Sequence, residues 1–288
     1  MLTWEETIIH LRKKTEYASI LHDSYLNDAP IENVERFRQS AEFRETLSII
    51  RKSFPSAKFI LEIGSGNGVA AAAFALEGYK IIATDPDEGM HTGCEAIRKL
   101  KSTFNLSQLE VQQSKGEALP FADNTFDLIY VRQTLHHAED LDKMLNEISR
   151  VLKPGGGFIA VREHVIFNEK DKQVFLASHP LQKWYGGENA FLPEEYKKAI
   201  QHSGLVLDKV YKHFDTIINY FPSTENEVDK LEEHLDQALK QELIRKIGAL
   251  AKLKLFLNTY IKINKFRFGH AKDERRIPGR MYSFIAHK

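Results

Sequence analysis

The sequence predicts an α/β protein built on a mostly parallel, doubly wound sheet. Between about residues 58 and 165, short apolar runs typical of buried strands alternate with helical patterns. Strands that alternate with helices require right-handed crossovers, which place helices on both faces of a parallel sheet. A glycine-rich turn follows the first of these strands, at the sheet edge where such folds bind ligands.

Seven apolar runs predict the strands of this sheet. They lie at residues 59–63, 80–84, about 109–112, 126–131, 158–161, 205–214 and 281–286. Helical patterns predict helices at 69–77, 90–101, 138–152 and 193–203. Gly204 follows the last of these patterns, as is common where a helix ends.

Composition excludes several classes of protein. The chain of 288 residues is 42% hydrophobic and 28% charged, which provides a substantial core and argues against a disordered chain. Its 40 basic residues balance 40 acidic residues, so no overall field attracts nucleic acid, and we expect no nucleic-acid partner. Cys94 is the only cysteine, which excludes an intramolecular disulfide and a cysteine-built zinc site.

The apolar runs also indicate whether the chain could cross a membrane and in which cell compartment we expect it. No run approaches the roughly 18 residues that a spanning helix needs. The first residues carry two acids and no basic region ahead of an apolar run, unlike a secretory leader. We therefore expect a cytoplasmic protein without a transmembrane segment.

Residues 62–68, Glu-Ile-Gly-Ser-Gly-Asn-Gly, form the most informative motif. Glycines at a strand-to-helix turn let the backbone approach a ligand and leave free N–H groups at the helix start. The next strand ends in Asp85, where a carboxylate can accept hydrogen bonds from both hydroxyls of a ribose. A dinucleotide fingerprint would require glycine at position 69, where Val69 stands. The motif predicts a nucleoside ligand and disfavours a nicotinamide cofactor.

The pattern Glu-x-Gly-x-Gly-x-Gly resembles the first motif of class I methyltransferases that use S-adenosylmethionine. Later segments follow the order and spacing of that family's small-molecule branch at residues 116–121, 124–127, 135–137 and 152–156. The resemblance covers about residues 59–165. It implies a Rossmann-like, seven-stranded, mostly parallel sheet with an antiparallel last strand, and S-adenosylmethionine as the cofactor.

The resemblance also implies roles for individual residues. The glycine loop would pass under the methionine portion of the cofactor, Glu62 would orient its ammonium group and Asp85 would hold the ribose. Many relatives carry an Asp that accepts from the adenine amino group where Lys115 stands, and lysine offers no acceptor. Adenine recognition is therefore expected from backbone groups around Lys115 and Gly116, from Glu117 or from apolar packing. The predicted cofactor-binding residues are Glu62, Gly64, Ser65, Gly66, Gly68, Asp85, Pro86, Lys115, Gly116, Glu117 and Arg132.

Methyl transfer is an in-line displacement that requires neither a metal nor a covalent nucleophile, because alignment supplies much of the acceleration. A base that removes the proton of a hydroxyl acceptor would add about 10² to 10⁴ in rate. His137 follows the fourth strand, and Glu163 and His164 end the fifth, so these three are the candidate catalytic residues. Catalysis by positioning alone stays open. We expect no metal, because adjacent His136 and His137 project differently and no familiar ligand spacing occurs.

The connection 166–192 follows the fifth strand, where an acceptor pocket is expected. Its Trp-Tyr pair beside two glycines supplies flat apolar surface on a mobile backbone, as a sugar or aromatic acceptor requires. The stretch is similar to methyltransferases found with bacterial surface-glycan synthesis, which favours a carbohydrate hydroxyl; an ordinary packed cap is the alternative. The predicted acceptor-binding residues are Arg162, Trp184, Tyr185, Glu188 and Asn189.

The chain divides into four predicted segments. Residues 1–57 form an N-terminal helical segment, 58–215 the cofactor-binding core, 216–280 a helical insertion and 281–288 the final core strand. Class I methyltransferases usually join their last two strands by a short turn, so residues 216–280 are an insertion.

The second half of the insertion, residues 240–280, carries twelve Lys and Arg against three acids. Five apolar residues share one predicted helical face there: Leu243, Ile247, Leu250, Leu257 and Ile261. Such a face packs against its own protein or a homodimer partner, or it contacts a membrane surface or an anionic acceptor.

The sequence therefore predicts an enzyme that transfers a methyl group from S-adenosylmethionine to a small-molecule acceptor. Two alternatives stay open. One is an NAD-dependent oxidoreductase, and the other is a catalytically silent scaffold that keeps the nucleoside pocket.

Overall fold

The computed structural model describes residues 1–221, 223–248, 254–268 and 272–288. They form two compact units, the first made of residues 1–219 with 278–288 and the second of residues 220–277. No helix of these described stretches is both long and apolar enough to cross a bilayer.

The first unit contains a seven-stranded sheet. Its strands are β1 (Phe59–Ile63), β2 (Lys80–Asp85), β3 (Leu109–Gln113), β4 (Phe126–Arg132), β5 (Leu152–His164), β6 (Val206–Tyr211) and β7 (Met281–His287). Their spatial order is β3-β2-β1-β4-β5-β7-β6. The first five pair in parallel, whereas β7 is antiparallel to both β5 and β6. The predicted fold class, with its antiparallel last strand, is confirmed.

Helices precede, connect and cover these strands. In chain order they are α1 (Trp4–Arg12), α2 (Ala18–Asp23), α3 (Pro30–Gln39), α4 (Ala41–Ser53), α5 (Val69–Leu76), α6 (Cys94–Thr103), α7 (Leu141–Val151), α8 (Glu169–Ser178), α9 (Gln182–Tyr185) and α10 (Pro193–His202).

The core lies on both faces of the sheet because successive side chains of a buried strand point to opposite faces. On one face, Tyr130 of β4 packs with Phe74 of α5, and Phe74 packs with Phe43 of α4, at ring-centroid distances of 5.0 and 5.1 Å. On the other face, Ile129 belongs to the same apolar cluster as Leu145 of α7. The helices therefore bury the sheet from two sides, as predicted.

Two elements begin four or more residues away from their sequence-predicted starts. Helix α6 begins at Cys94 instead of residue 90, because Gly93 has φ +120° and its N–H donates to the Gly66 carbonyl at 2.7 Å. Strand β5 begins at Leu152, earlier than the apolar run suggested, because Leu152 already pairs with Phe126 of β4. Both differences come from contacts between segments distant in sequence.

The second unit contains α11 (Glu225–Ile247) and α12 (Lys254–Phe268). Thr224 caps α11: its hydroxyl accepts from the Glu227 N–H at 3.3 Å, and the Glu227 carboxylate accepts from the Thr224 N–H at 2.7 Å. On the predicted apolar face, Leu243 is buried and Ile247 is exposed. Leu250 lies outside the described residues.

Candidate active site

The glycine loop lies at the carboxyl ends of β1 and β2. Gly64, Gly66 and Gly68 all have positive φ, between +54° and +78°, which glycine adopts without penalty. The Ser65 N–H donates to the Thr84 carbonyl at 2.9 Å, and the Gly66 N–H donates to Asp85 Oδ2 at 2.8 Å. The loop is thereby fixed to the end of β2, and the structure brings together Ser65, the three glycines and Asp85.

The three glycines differ in what surrounds them. A Cβ on Gly64 would overlap Thr134, and one on Gly68 would lie 2.8 Å from Ile97 of α6. A Cβ on Gly66 would meet nothing within 4 Å. Gly64 and Gly68 are therefore required by packing, whereas Gly66 borders open space where a ligand can approach the backbone.

Glu62 is the penultimate residue of β1, and its side chain is buried beneath this loop. Among the described residues, its Oε2 atom has no hydrogen-bond partner. Burial raises the pKa of Glu62 to about 8, against a lowering by the nearby Ser65 hydroxyl. A buried carboxyl oxygen without a partner is costly, and a bound ammonium group would satisfy it. Glu62 therefore fits the role of an ammonium-binding residue.

Asp85 ends β2 and is also largely buried. Its Oδ2 accepts from Gly66, and its Oδ1 accepts from the Asp87 N–H at 3.0 Å. Each oxygen keeps a second lone pair for a hydroxyl donor. Burial raises the pKa of Asp85 to about 6, and the two backbone donors oppose that rise. Pro86, the next residue, is exposed, and its carbonyl accepts from the Gln113 side chain at 2.8 Å.

The predicted adenine side lies between β3 and α7. Lys115 is exposed and its ammonium pairs with Glu139 at 2.9 Å. Glu117 accepts from the Glu139 N–H at 2.9 Å, and a Cβ on Gly116 would lie 2.8 Å from Met144. The Lys115 side chain is therefore held by a surface ion pair, which leaves backbone groups and Glu117 as the candidates for adenine recognition.

Arg132 and Arg162 are both paired with Glu42 of α4. Arg132 Nε and Nη2 donate to the two oxygens of Glu42 at 2.6 and 3.2 Å, and Arg162 Nη1 donates to Glu42 Oε2 at 2.7 Å. Burial alone would raise the pKa of Glu42, but the two guanidinium groups hold it below its ordinary value. This pairing favours a structural role for both arginines over the predicted cofactor and acceptor contacts.

Glu163 of β5 holds the turn that follows β4. Its carboxylate accepts from the N–H groups of Thr134 at 3.0 Å and His136 at 3.1 Å, and from His136 Nδ1 at 2.8 Å. Burial raises the pKa of Glu163 to about 7, and these backbone donors oppose the rise. With three donors already in place, Glu163 is better suited to positioning than to proton abstraction.

The two histidines among the predicted bases differ in exposure. His164 is buried, and its Nδ1 donates to the Gly279 carbonyl at 2.8 Å. His137 is partly exposed, and its Nδ1 lies 3.2 Å from the Gly187 carbonyl. A carbonyl can only accept, so Nδ1 carries the proton of a neutral ring and Nε2 keeps its lone pair. Burial lowers the pKa of His137, which favours that neutral form.

Helix α9 carries Trp184 and Tyr185 against α1. The Trp184 ring lies 4.3 Å from the His10 ring and under the Lys14 ammonium at 4.6 Å, and the Tyr185 ring lies 5.3 Å from Trp4. Sequence reasoning missed these α1 partners, since no local pattern links residues so far apart. Tyr185 also lies 6.2 Å from the His137 ring, whereas Trp184 makes its ring contacts on the α1 side.

Glu188 is buried and Asn189 is half-buried. The Glu188 carboxylate lies 3.9 Å from His136 Nε2 and 3.7 Å from His179 Nδ1. Burial raises the pKa of Glu188 to about 7. Among the predicted acceptor residues, Trp184 and Tyr185 therefore lie together on α9, whereas Glu188 lies beside His136 and His179.

The sheet order and the glycine loop are typical of class I S-adenosylmethionine-dependent methyltransferase domains. Residues 61–160 match a family described as a methyltransferase domain, in agreement with the predicted family and cofactor. The chain is 32% identical over 140 residues to an uncharacterised methyltransferase, YcgJ of Bacillus subtilis (strain 168), covering 47% of this chain and 54% of the relative.

Two further matches agree with this family. One is a ubiquinone/menaquinone biosynthesis C-methyltransferase, UbiE of Pasteurella multocida (strain Pm70), 35% identical over 106 residues and covering 35% of this chain and 38% of the relative. The crystal structure of YcgJ from Bacillus subtilis matches with a TM-score of 0.53 at 20% identity, covering 85% of this chain and 98% of that one. The sequence matches thus span about half or less of the curated relatives, and the structural match supports the fold.

Replacing Glu42 with Gln should destabilise the protein by about 3 kcal/mol, because Arg132 and Arg162 would lose a buried counter-charge. Urea unfolding followed by circular dichroism measures the change. Glu35→Gln is the control, since Glu35 is an exposed partner of Arg38 at 3.6 Å and should cost less than about 1 kcal/mol. Equal stability of the two variants would contradict the structural role of the cluster.

Replacing Gly66 with Ala should weaken binding of S-adenosylmethionine about tenfold or more, because the new methyl group would enter ligand space. The matched control is Gly78→Ala, which also has positive φ and open space around its Cβ but lies outside the loop. Calorimetry measures the affinity for S-adenosylmethionine. Thermal melting measures how much an alanine at positive φ destabilises each of the two variants. If both variants bind the cofactor like the parent protein, Gly66 does not border the ligand.

Proposed function

We propose that this protein is an enzyme that transfers a methyl group from S-adenosylmethionine to a hydroxyl of a small-molecule acceptor. The observation that carries the proposal is the buried Glu62 carboxyl, whose Oε2 is unpartnered among the described residues beside a glycine loop with open space at Gly66. A cationic ligand that also carries a ribose would satisfy both Glu62 and Asp85, and S-adenosylmethionine has both features.

Each part of the cofactor has a candidate partner. Glu62 would bind the ammonium group, the backbone at Gly66 would lie along the methionine portion and Asp85 would accept from the ribose hydroxyls. Backbone groups near Gly116, together with Glu117, would recognise adenine. The bound cofactor supplies a sulfonium that makes its methyl group electrophilic.

The residues after β4 and β5 would serve the acceptor. As the hydroxyl oxygen forms its bond to the methyl carbon and the bond from that carbon to sulfur breaks, His137 Nε2 would take the hydroxyl proton. The Nδ1 contact with Gly187 supports this role because it holds the ring with its lone pair on Nε2. Glu163 would act as a positioning residue, since it fixes the turn that carries His137.

The acceptor class rests on the residues between α8 and α10. Tyr185 lies beside His137, and Asn189 offers a polar side chain nearby in sequence, a combination suited to a carbohydrate hydroxyl. The UbiE relative, named for ubiquinone/menaquinone biosynthesis, supports a small molecule as the acceptor, although its name specifies C-methylation. The choice of oxygen here rests on His137 as a base.

Replacing Asp85 with Asn should weaken cofactor binding by roughly 2 to 4 kcal/mol, because the ribose hydroxyls lose a charged acceptor. Calorimetry with S-adenosylmethionine, with NAD as a second ligand, measures the change and tests the oxidoreductase alternative. Asp87→Asn, an exposed neighbour, is the control. Unchanged affinity in Asp85→Asn, or preferential binding of NAD by the parent protein, would refute the cofactor assignment.

Replacing His137 with Gln should lower turnover by about 10² to 10⁴ while cofactor affinity stays constant, because the acceptor proton loses its base. The assay follows release of the demethylated cofactor with hydroxyl, amine and thiol acceptors. The pKa of His137 is lowered. Protonation of this base should therefore reduce the rate of the parent protein only at pH values below the ordinary titration range of histidine.

Three outcomes of that assay would contradict parts of the proposal. An unaltered rate in His137→Gln would mean catalysis by positioning alone. Preferred methylation of an amine or thiol would overturn the hydroxyl acceptor. Cofactor binding without turnover of any acceptor in the panel would favour the silent scaffold.

A further inference from the structure

Three side chains that could bind a metal converge beside the proposed methyl-transfer site. His136, His137 and Glu188 each present one ligand atom, and these atoms all lie within 4.8 Å of one another. The two histidines belong to the turn after β4, whereas Glu188 comes from the connection that follows α9. The cluster therefore exists only in the folded chain.

The rings of the two histidines are oriented by hydrogen bonds at their Nδ1 atoms. His136 Nδ1 lies 2.8 Å from Glu163 Oε2, and His137 Nδ1 lies 3.2 Å from the Gly187 carbonyl. An Nδ1–H held by oxygen leaves the lone pair on Nε2. Metal-binding histidines in proteins are held in this way, by a carboxylate or a carbonyl at the other ring nitrogen.

The electrostatics of the cluster favour a cation. Glu188 is 7% exposed, and its nearest basic groups are the rings of His136 and His179. A buried carboxylate is costly unless a proton or a positive charge compensates it, and a bound metal ion would supply that charge.

We propose that His136 Nε2, His137 Nε2 and the Glu188 carboxylate bind a divalent transition-metal ion, with Zn²⁺ as the best match. Two imidazoles and one carboxylate are a known catalytic zinc ligand set, whereas Ca²⁺ and Mg²⁺ prefer oxygen ligands throughout. At bond lengths of about 2.1 Å, tetrahedral ligand atoms lie roughly 3.4 Å apart. Small side-chain rotations would therefore close the 3.9 Å separation between His136 Nε2 and Glu188 Oε2.

A fourth coordination position would remain for water or an acceptor oxygen, because the His137 side of the cluster is partly exposed. A coordinated His137 cannot accept a proton. In the loaded protein, the ion would instead lower the pKa of a bound hydroxyl, whose proton would pass to water. The metal site itself does not rest on the proposed function, since ion binding is measured without donor or acceptor.

The test uses the full chain, purified without a histidine tag and freed of metal with a chelator. Equilibrium dialysis against Zn²⁺ with elemental analysis should give one ion per chain. Co²⁺ should give the visible spectrum of a tetrahedral site, and Zn²⁺ should displace it. Glu188→Gln and His136→Gln should each weaken Zn²⁺ binding at least 100-fold, and Glu163→Gln should weaken it about 10- to 100-fold by freeing the His136 ring.

Two surface variants are the matched controls. Glu169→Gln and His202→Gln alter exposed residues of the same types and should leave Zn²⁺ affinity unchanged. Thermal melting checks that each variant folds. If Glu188→Gln fails to fold, X-ray absorption at the zinc edge of the parent protein decides, with two imidazole nitrogens and carboxylate oxygen expected in the coordination shell. Absence of stoichiometric binding, parent-like affinity in a folded Glu188→Gln, or a shell without two imidazoles would overturn the proposal.

Discussion

The Glu163 carboxylate joins the two strand ends on which the site depends. It belongs to β5 and accepts three hydrogen bonds from Thr134 and His136, which follow β4. Thr134 in turn lies against Gly64, so the same carboxylate supports the glycine loop from one side. This single buried carboxylate therefore positions both the turn that carries the candidate base His137 and the Thr134 residue that lies against the glycine loop. Its burial protects these hydrogen bonds from competition with water.

The N-terminal helices supply a buried counter-charge near the same two strand ends. Glu42 of α4 neutralises Arg132 and Arg162, which stand near the ends of β4 and β5. Without that carboxylate, two guanidinium groups would be buried close together without a counter-charge, which would destabilise the folded state. The helical segment before the sheet is thus part of the core's electrostatic balance as well as of its apolar packing.

The sequence predicted those features that depend on local pattern. The strands follow from apolar runs, and the cofactor loop follows from three glycines between a strand and a helix, since both signals lie within a few adjacent residues. The pairing of Glu42 with two arginines could not be predicted, because it joins residues about 90 and 120 positions apart. The expectation of no metal rests on ligand spacing along the chain and stays a prediction, because such spacing does not report side chains that the fold brings together.

The charge of a residue at a strand end does not by itself predict whether that residue binds a ligand. Arg132, Arg162 and Glu163 are charged residues at or near strand ends, and all three have protein partners in the structure. Glu62 is also buried, but its Oε2 atom has no hydrogen-bond partner among the described residues, and its role toward the ammonium group stays a prediction. What distinguishes the two cases is the presence of a partner, which depends on tertiary structure.

Helix α1 contacts both halves of the proposed site. Its Glu5 accepts from the His91 N–H at 2.7 Å, in the segment that follows Asp85, while Trp4 and His10 pack on the aromatic pair of α9. A ligand that displaces α1 from one of these surfaces must also alter its contacts with the other. Thermodynamic linkage makes any such effect reciprocal, so the affinities for the methyl donor and for its acceptor would depend on each other by the same factor.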